Sequence, residues 1–121
     1  MKFASIKTIP FSQQRYETLG DWQVKKDGSI KVLVSETGDW RVNFLLSIHE
    51  LVEAGLCANA GITQDMVDEF DMSHPDLDEP GAHESAPYCR QHGIAHIVER
   101  LLCHELGMNW DEYESMLEHM K

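Results

Sequence analysis

The hydrophobic pattern of this chain changes its period once, and that change limits the folds open to it. Up to about residue 42 the apolar residues lie in short β-rich runs. FASIKTI alternates imperfectly and is closed by Pro10. The segment DWQVKKDGSIKVLVS holds two such runs around Asp27-Gly28, a pair favoured in tight hairpin turns. From about Asn43 the spacing is helical: Phe44, Leu45, Ile48, Leu51, Val52 and Leu56 recur every three or four residues. Strands followed by helices argue for an α+β fold rather than repeated βαβ units. The expected architecture is a set of N-terminal antiparallel strands, with the hairpin at Asp27-Gly28, packed with a C-terminal part of three to four helices. A single domain over residues 1–121 is expected, mainly β over 1–42 and mainly α over 43–121.

Local signals divide the helical part. Thr37-Gly38-Asp39 marks a turn, and Gly61-Ile62-Thr63 stops one element and starts another. Thr63 suits the N-cap of a short helix through Phe70. Residues 72–87, MSHPDLDEPGAHESAP, read as an acidic, Pro-containing loop. Pro87 suits the first turn of a long helix, Tyr88 to Leu106, ended by Gly107. Asn109 with Glu112 three residues later opens a last helix, Trp110 to His119.

Charge and composition exclude several functions. The net charge is −11, and residues 61–121 carry all of it, with three basic and fourteen acidic side chains. Such a surface repels phosphates and anionic lipids, so no nucleic-acid or membrane-surface binding is expected. No run of about 18 apolar residues is present to span a membrane. The N-terminal MKFASIKTIPFSQQRYE lacks the long apolar stretch of a signal peptide, and Cys57, Cys89 and Cys103 make no disulfide framework. Both point to a reducing cytoplasm.

The chemistry-bearing residues lie in two helical stripes. On the long helix His92, His96, Glu99 and Cys103 fall within a stripe roughly 60° wide, apart from the apolar side formed by Ile94, Ile97, Val98, Leu101 and Leu102. His nitrogens and carboxylate oxygens are ligands for zinc and related divalent ions. The bland reading of the stripe is a solvated face, and Cys103 reads better as a small buried hydrophobe. The earlier helix reads His49-Glu50-Leu51-Val52-Glu53, an HExxE sequence. His49 and Glu53 share a face, while Glu50 points about 100° away. The form is related to the metalloprotease HExxH motif, with Glu53 in place of the second His. Alone it is weak, and a charged exposed face explains it as well. Two such stripes in one short chain can face each other across antiparallel helices, a recurrent setting for His/carboxylate metal sites.

The resulting ligand set is His49, Glu53, His96 and Glu99, then His92, with Cys103 last. Zinc fits these donors best, and iron or manganese are alternatives. Glu50 is the candidate general base of a metal-dependent hydrolase acting on a small molecule or peptide. Asp65 and Asp68, or Asp76, Asp78 and Glu79 from the acidic loop, can complete a second site, though a solvated, mobile acidic segment is the favoured reading of that loop. Arg100 can pair with Glu53 or Glu99. Arg15, Tyr16, Asp21 and Trp22 can flank a pocket, with Trp22 read as a packing residue. Two further functions compete: an acidic, DNA-mimicking binder of a basic protein partner, and a metal site that only pins two helices. Assembly as a homo-oligomer is compatible with either.

In its IHELVEAGLCANAGIT segment and its later DEPG, APYCRQH and AHIVERLL stretches, the chain resembles small uncharacterised proteins encoded by phages and prophages. The likeness covers most of the length. It implies a bacterial cytoplasmic setting and an HELxEA helix paired with a His/Glu-bearing one, carried here by His49, Glu50, Glu53, His96 and Glu99. It implies no particular activity.

Overall fold

The computed structural model describes residues 3–121. Its strands are β1 (Ala4–Ile9), β2 (Gly20–Val24) and β3 (Ile30–Ser35), and its helices are α1 (Trp40–Ala60), α2 (Gln64–Ser73), α3 (Cys89–Glu105) and α4 (Trp110–Met120). Single 3₁₀ turns stand at Phe11–Gln13 and Pro80–Ala82. The fold is α+β, with strands first and helices after, as the change of period predicts.

The sheet has the order β1-β3-β2. β2 and β3 form the expected antiparallel hairpin, in register from Gly20 opposite Val34 to Val24 opposite Ile30. Asp27 closes its turn by accepting from the Ser29 amide and hydroxyl. β1 corrects the all-antiparallel expectation: it runs parallel to β3, from Ala4 opposite Ile30 to Ile9 opposite Ser35. The cause is position. β2 already covers one edge of β3, so β1 takes the other, and the Pro10–Leu19 connection returns the chain across to start β2. β3 is therefore central, and its alternate residues Ile30, Val32 and Val34 are buried on one face.

α1 packs that face together with Val42, Leu45 and Cys57, all fully buried. It starts at Trp40, three residues earlier than the apolar periodicity suggests, because the Asp39 side chain caps it by accepting from the Arg41 amide. α1 and α3 end alike. Ile62 N–H donates to Cys57 O and Gly61 N–H to Ala58 O; Met108 N–H donates to Cys103 O and Gly107 N–H to His104 O. This double closure requires a left-handed residue, supplied by Gly61 (φ 74°) and Gly107 (φ 74°). Thr63 and Asn109 cap α2 and α4 as predicted, accepting from Met66 and Glu112 amides.

The 72–87 segment is less of a loop than its composition suggests. α2 runs on through Ser73, and Pro80–Ala82 forms a turn of 3₁₀ helix. Pro87 stands just before α3, and Tyr88 precedes its first residue. Among the described residues no helix is long and apolar enough to cross a membrane.

Candidate metal centre

α1 and α3 lie antiparallel: Glu53 meets His92, and His49 meets Glu99. Four-residue spacing on α1 sets His49 and Glu53 one turn apart on the same face. His49 Nε2 lies 3.3 Å from Glu53 Oε2, and His92 Nδ1 lies 2.9 Å from the same oxygen. One donor atom from each of His49, Glu53 and His92 falls within 4.8 Å of the others. These three residues can hold a metal ion.

The ligand side chains are held from behind. The Trp22 indole on β2 donates from Nε1 to Glu53 Oε1 at 3.0 Å. Glu99 Oε1 lies 2.7 Å from His49 Nδ1, and the Tyr113 hydroxyl of α4 donates to Glu99 Oε2 at 2.6 Å. Sheet and three helices thus meet in one chain of bonds. His49, Glu53, Glu99, Trp22 and Tyr113 are all buried. Two glycines make the space. A Cβ on Gly81 would stand 2.7 Å from His92 Nδ1, and a Cβ on Gly20 would stand 2.8 Å from Glu50 Cγ.

The electrostatics follow from this enclosure. Burial alone would lower the His49 pKa, but its bonds to Glu53 and Glu99 overcome that and raise it to about 11. Burial likewise opposes ionisation of Glu53, yet the bonds from His49 and His92 hold its carboxyl at about 2. Glu50 gains no such donor. Burial and the neighbouring Glu53 charge push it up to about 8. Its carboxylate lies 4.0 Å from His49 Nε2. Glu50 and Glu53 both line a cavity of about 20 Å³, with Asp21, Trp22 and Asp71 among the other walls. That is room for about one water molecule. An ion entering the site must displace the proton that His49 otherwise retains.

Not every residue of the two sequence stripes comes to this group. His92, ranked below His96 by sequence, is in it, whereas the His96 ring packs edge-on against Trp110 at 5.0 Å. Glu99 reaches the far nitrogen of His49 instead of the converging donor atoms. Cys103 is fully buried, its thiol directed to the Met108 carbonyl, as its reading as a hydrophobe implies. Arg100 pairs with neither Glu53 nor Glu99; it is exposed and its guanidinium lies over the Trp110 ring. Asp65, Asp76, Asp78 and Glu79 are exposed, and Asp68 is bound by Arg15, which also grips Asp21. Arg15, Tyr16, Asp21 and Trp22 do line the small cavity. Sequence reasoning missed the polar role of Trp22 and missed Tyr113, Gly20 and Gly81 entirely. Each acts across elements distant in sequence, so no local spacing reveals it.

No protein-family model matches the chain, and neither a curated protein nor a solved structure is significantly similar to it.

Proposed function

We propose that this protein is a metal-dependent hydrolase whose ion is held by His49, Glu53 and His92 and whose general base is Glu50. The observation that carries the reading is the convergence of two His nitrogens and a carboxylate oxygen within 4.8 Å, beside the Glu50 carboxylate and a cavity of one-water size. Three protein donors are one fewer than the four of a closed structural zinc site and match the number found in catalytic ones. A divalent ion held there would supply Lewis acidity and an activated water. Glu50 is suited to accept the proton of that water, because its carboxylate stands 4.0 Å from His49 Nε2, lines the small cavity and is held by no side-chain donor among the described residues. Glu53 and His49 stay in their ligand geometry through Trp22 and Glu99. The donor set of two nitrogens and one oxygen favours zinc, with iron or manganese next, over magnesium. A peptide, an amide or a phosphoester each suits such a site.

A purely structural ion is the second reading, favoured by the burial of His49 and Glu53 between α1 and α3. One experiment separates the two. Protein purified without chelator is analysed for metals, and its hydrolysis of ester, phosphoester and peptide probes is measured with and without Glu50→Gln. The hydrolase reading expects about one ion per chain, lost in His49→Ala/His92→Ala, and a rate about 10²–10⁴-fold lower in Glu50→Gln at unchanged metal content. Full metal content with no effect of Glu50→Gln on any rate favours the structural ion. A metal-free protein indifferent to EDTA sinks both.

A further inference from the structure

We infer that Glu99, itself held by Tyr113, is a positioning residue that decides which nitrogen of His49 faces the ion. This deepens the metal reading of the same site and rests on it. An imidazole has two nitrogens on opposite sides of the ring, and a neutral ring carries a proton on only one. A ligand histidine must present the bare nitrogen to the ion. Glu99 Oε1 stands 2.7 Å from His49 Nδ1, so that nitrogen keeps its proton and donates it to the carboxylate. Nε2, which faces Glu53 Oε2 at 3.3 Å, is left to the ion. A carboxylate accepting from one imidazole nitrogen also makes the other a better donor to metal.

Three observations set this apart from an ordinary ion pair. Glu99 does not join the atoms that converge within 4.8 Å, so it acts through His49 instead of beside it. Its second oxygen is fixed by the Tyr113 hydroxyl at 2.6 Å, which prevents the carboxylate from turning toward the ion. Both residues are buried, Glu99 at 5% and Tyr113 at 1% exposure, so water does not compete for either bond. Trp22 serves Glu53 in the same way, occupying Oε1 while Oε2 faces the two imidazoles. A residue of the last helix therefore acts on the ion through two intervening side chains.

The test uses full-length protein with ¹⁵N-labelled histidine, loaded with zinc, and competition titration for zinc affinity. In the parent protein His49 should show a protonated Nδ1 and a zinc-bound Nε2. Glu99→Ala should bind zinc about 10–100-fold more weakly and lose the distinct Nδ1–H signal. Glu99→Gln keeps an acceptor oxygen without the charge, should fold where Glu99→Ala does not, and should fall between the two. Tyr113→Phe should weaken zinc several-fold less than Glu99→Ala. A zinc-bound Nδ1 in the parent overturns the inference while leaving the metal site intact. Parent-like zinc affinity in Glu99→Gln together with either Glu99→Ala or Tyr113→Phe does the same. Failure of the parent protein to bind zinc, iron or manganese overturns the site and this inference together.

Discussion

The α1–α3 interface and the 72–87 segment are built from the same residue types and use them in opposite ways. Both are rich in His and carboxylates. In the interface, Glu53 and Glu99 are buried and every one of their four oxygens faces a donor: Trp22 and His92 for one, His49 and Tyr113 for the other. In the segment, Asp76, Asp78 and Glu79 stand in solvent, and Asp78 has only an exposed lysine, Lys121, at 3.6 Å. The difference teaches that charge content says little until solvation is known. A carboxylate in water is already satisfied and contributes little by pairing. A buried one must find donors, and those donors fix geometry.

The sharpest way to break this comparison is to remove one buried carboxylate. Glu53→Ala leaves the Trp22 indole N–H, His92 Nδ1 and His49 Nε2 without their acceptor. It should cost about 3–5 kcal/mol of stability in urea unfolding, the usual result of orphaning half of a buried ion pair. A loss below about 1 kcal/mol would mean that the interface behaves like surface.

A pH titration of stability comes next. Glu53, at about 2 in the fold against 4.5 unfolded, stabilises above pH 4.5 and loses that contribution as the pH falls through 2. His49, at about 11 against 6.5, contributes fully below pH 6.5 and loses its contribution as the pH rises through 11. Glu50, raised from 4.5 to about 8, also favours the fold when protonated, so its contribution declines between those values. Stability of the metal-free protein should therefore peak near pH 4.5, decline through Glu50 above it, and decline more steeply above pH 6.5, where His49 joins. Glu50→Gln should delay the start of the decline from pH 4.5 to pH 6.5, leaving the part due to His49. A flat profile across the neutral range contradicts the buried ionic network.

The smallest effect is expected on the exposed side. Asp76→Asn, Asp78→Asn and Glu79→Gln should each change stability by less than about 0.5 kcal/mol. A larger change at any of them would show that the segment carries a partnered charge after all.

How much of this was legible in the sequence depends on the range of the interaction. Hairpin, caps and helix ends were readable because Asp27-Gly28, Thr63, Asn109, Gly61 and Gly107 act within a few residues of themselves. The pairing of His49 with Glu53 was readable for the same reason. The choice between His92 and His96 was not. A helical wheel gives the direction of a side chain but not how far α3 is shifted along α1, and that shift brings His92 to Glu53 while His96 turns to Trp110. The parallel placement of β1 was hidden likewise, since a strand's own pattern does not say which edge it will find. The exposed loop carboxylates and the buried ones also look identical in a string of letters.

The chain of bonds from Trp22 through Glu53, His49 and Glu99 to Tyr113 also bears on the order of assembly. Its members come from β2, α1, α3 and α4, so the links from Trp22 to Glu53 and from His49 to Glu99 each close a long loop of chain. The hairpin and the single helices can form early from local contacts. The complete site cannot, because its outermost member arrives only when the last helix docks. The three residues that can hold an ion are thus all present once α3 packs on α1, and the last helix adds only the Tyr113 bond that fixes Glu99.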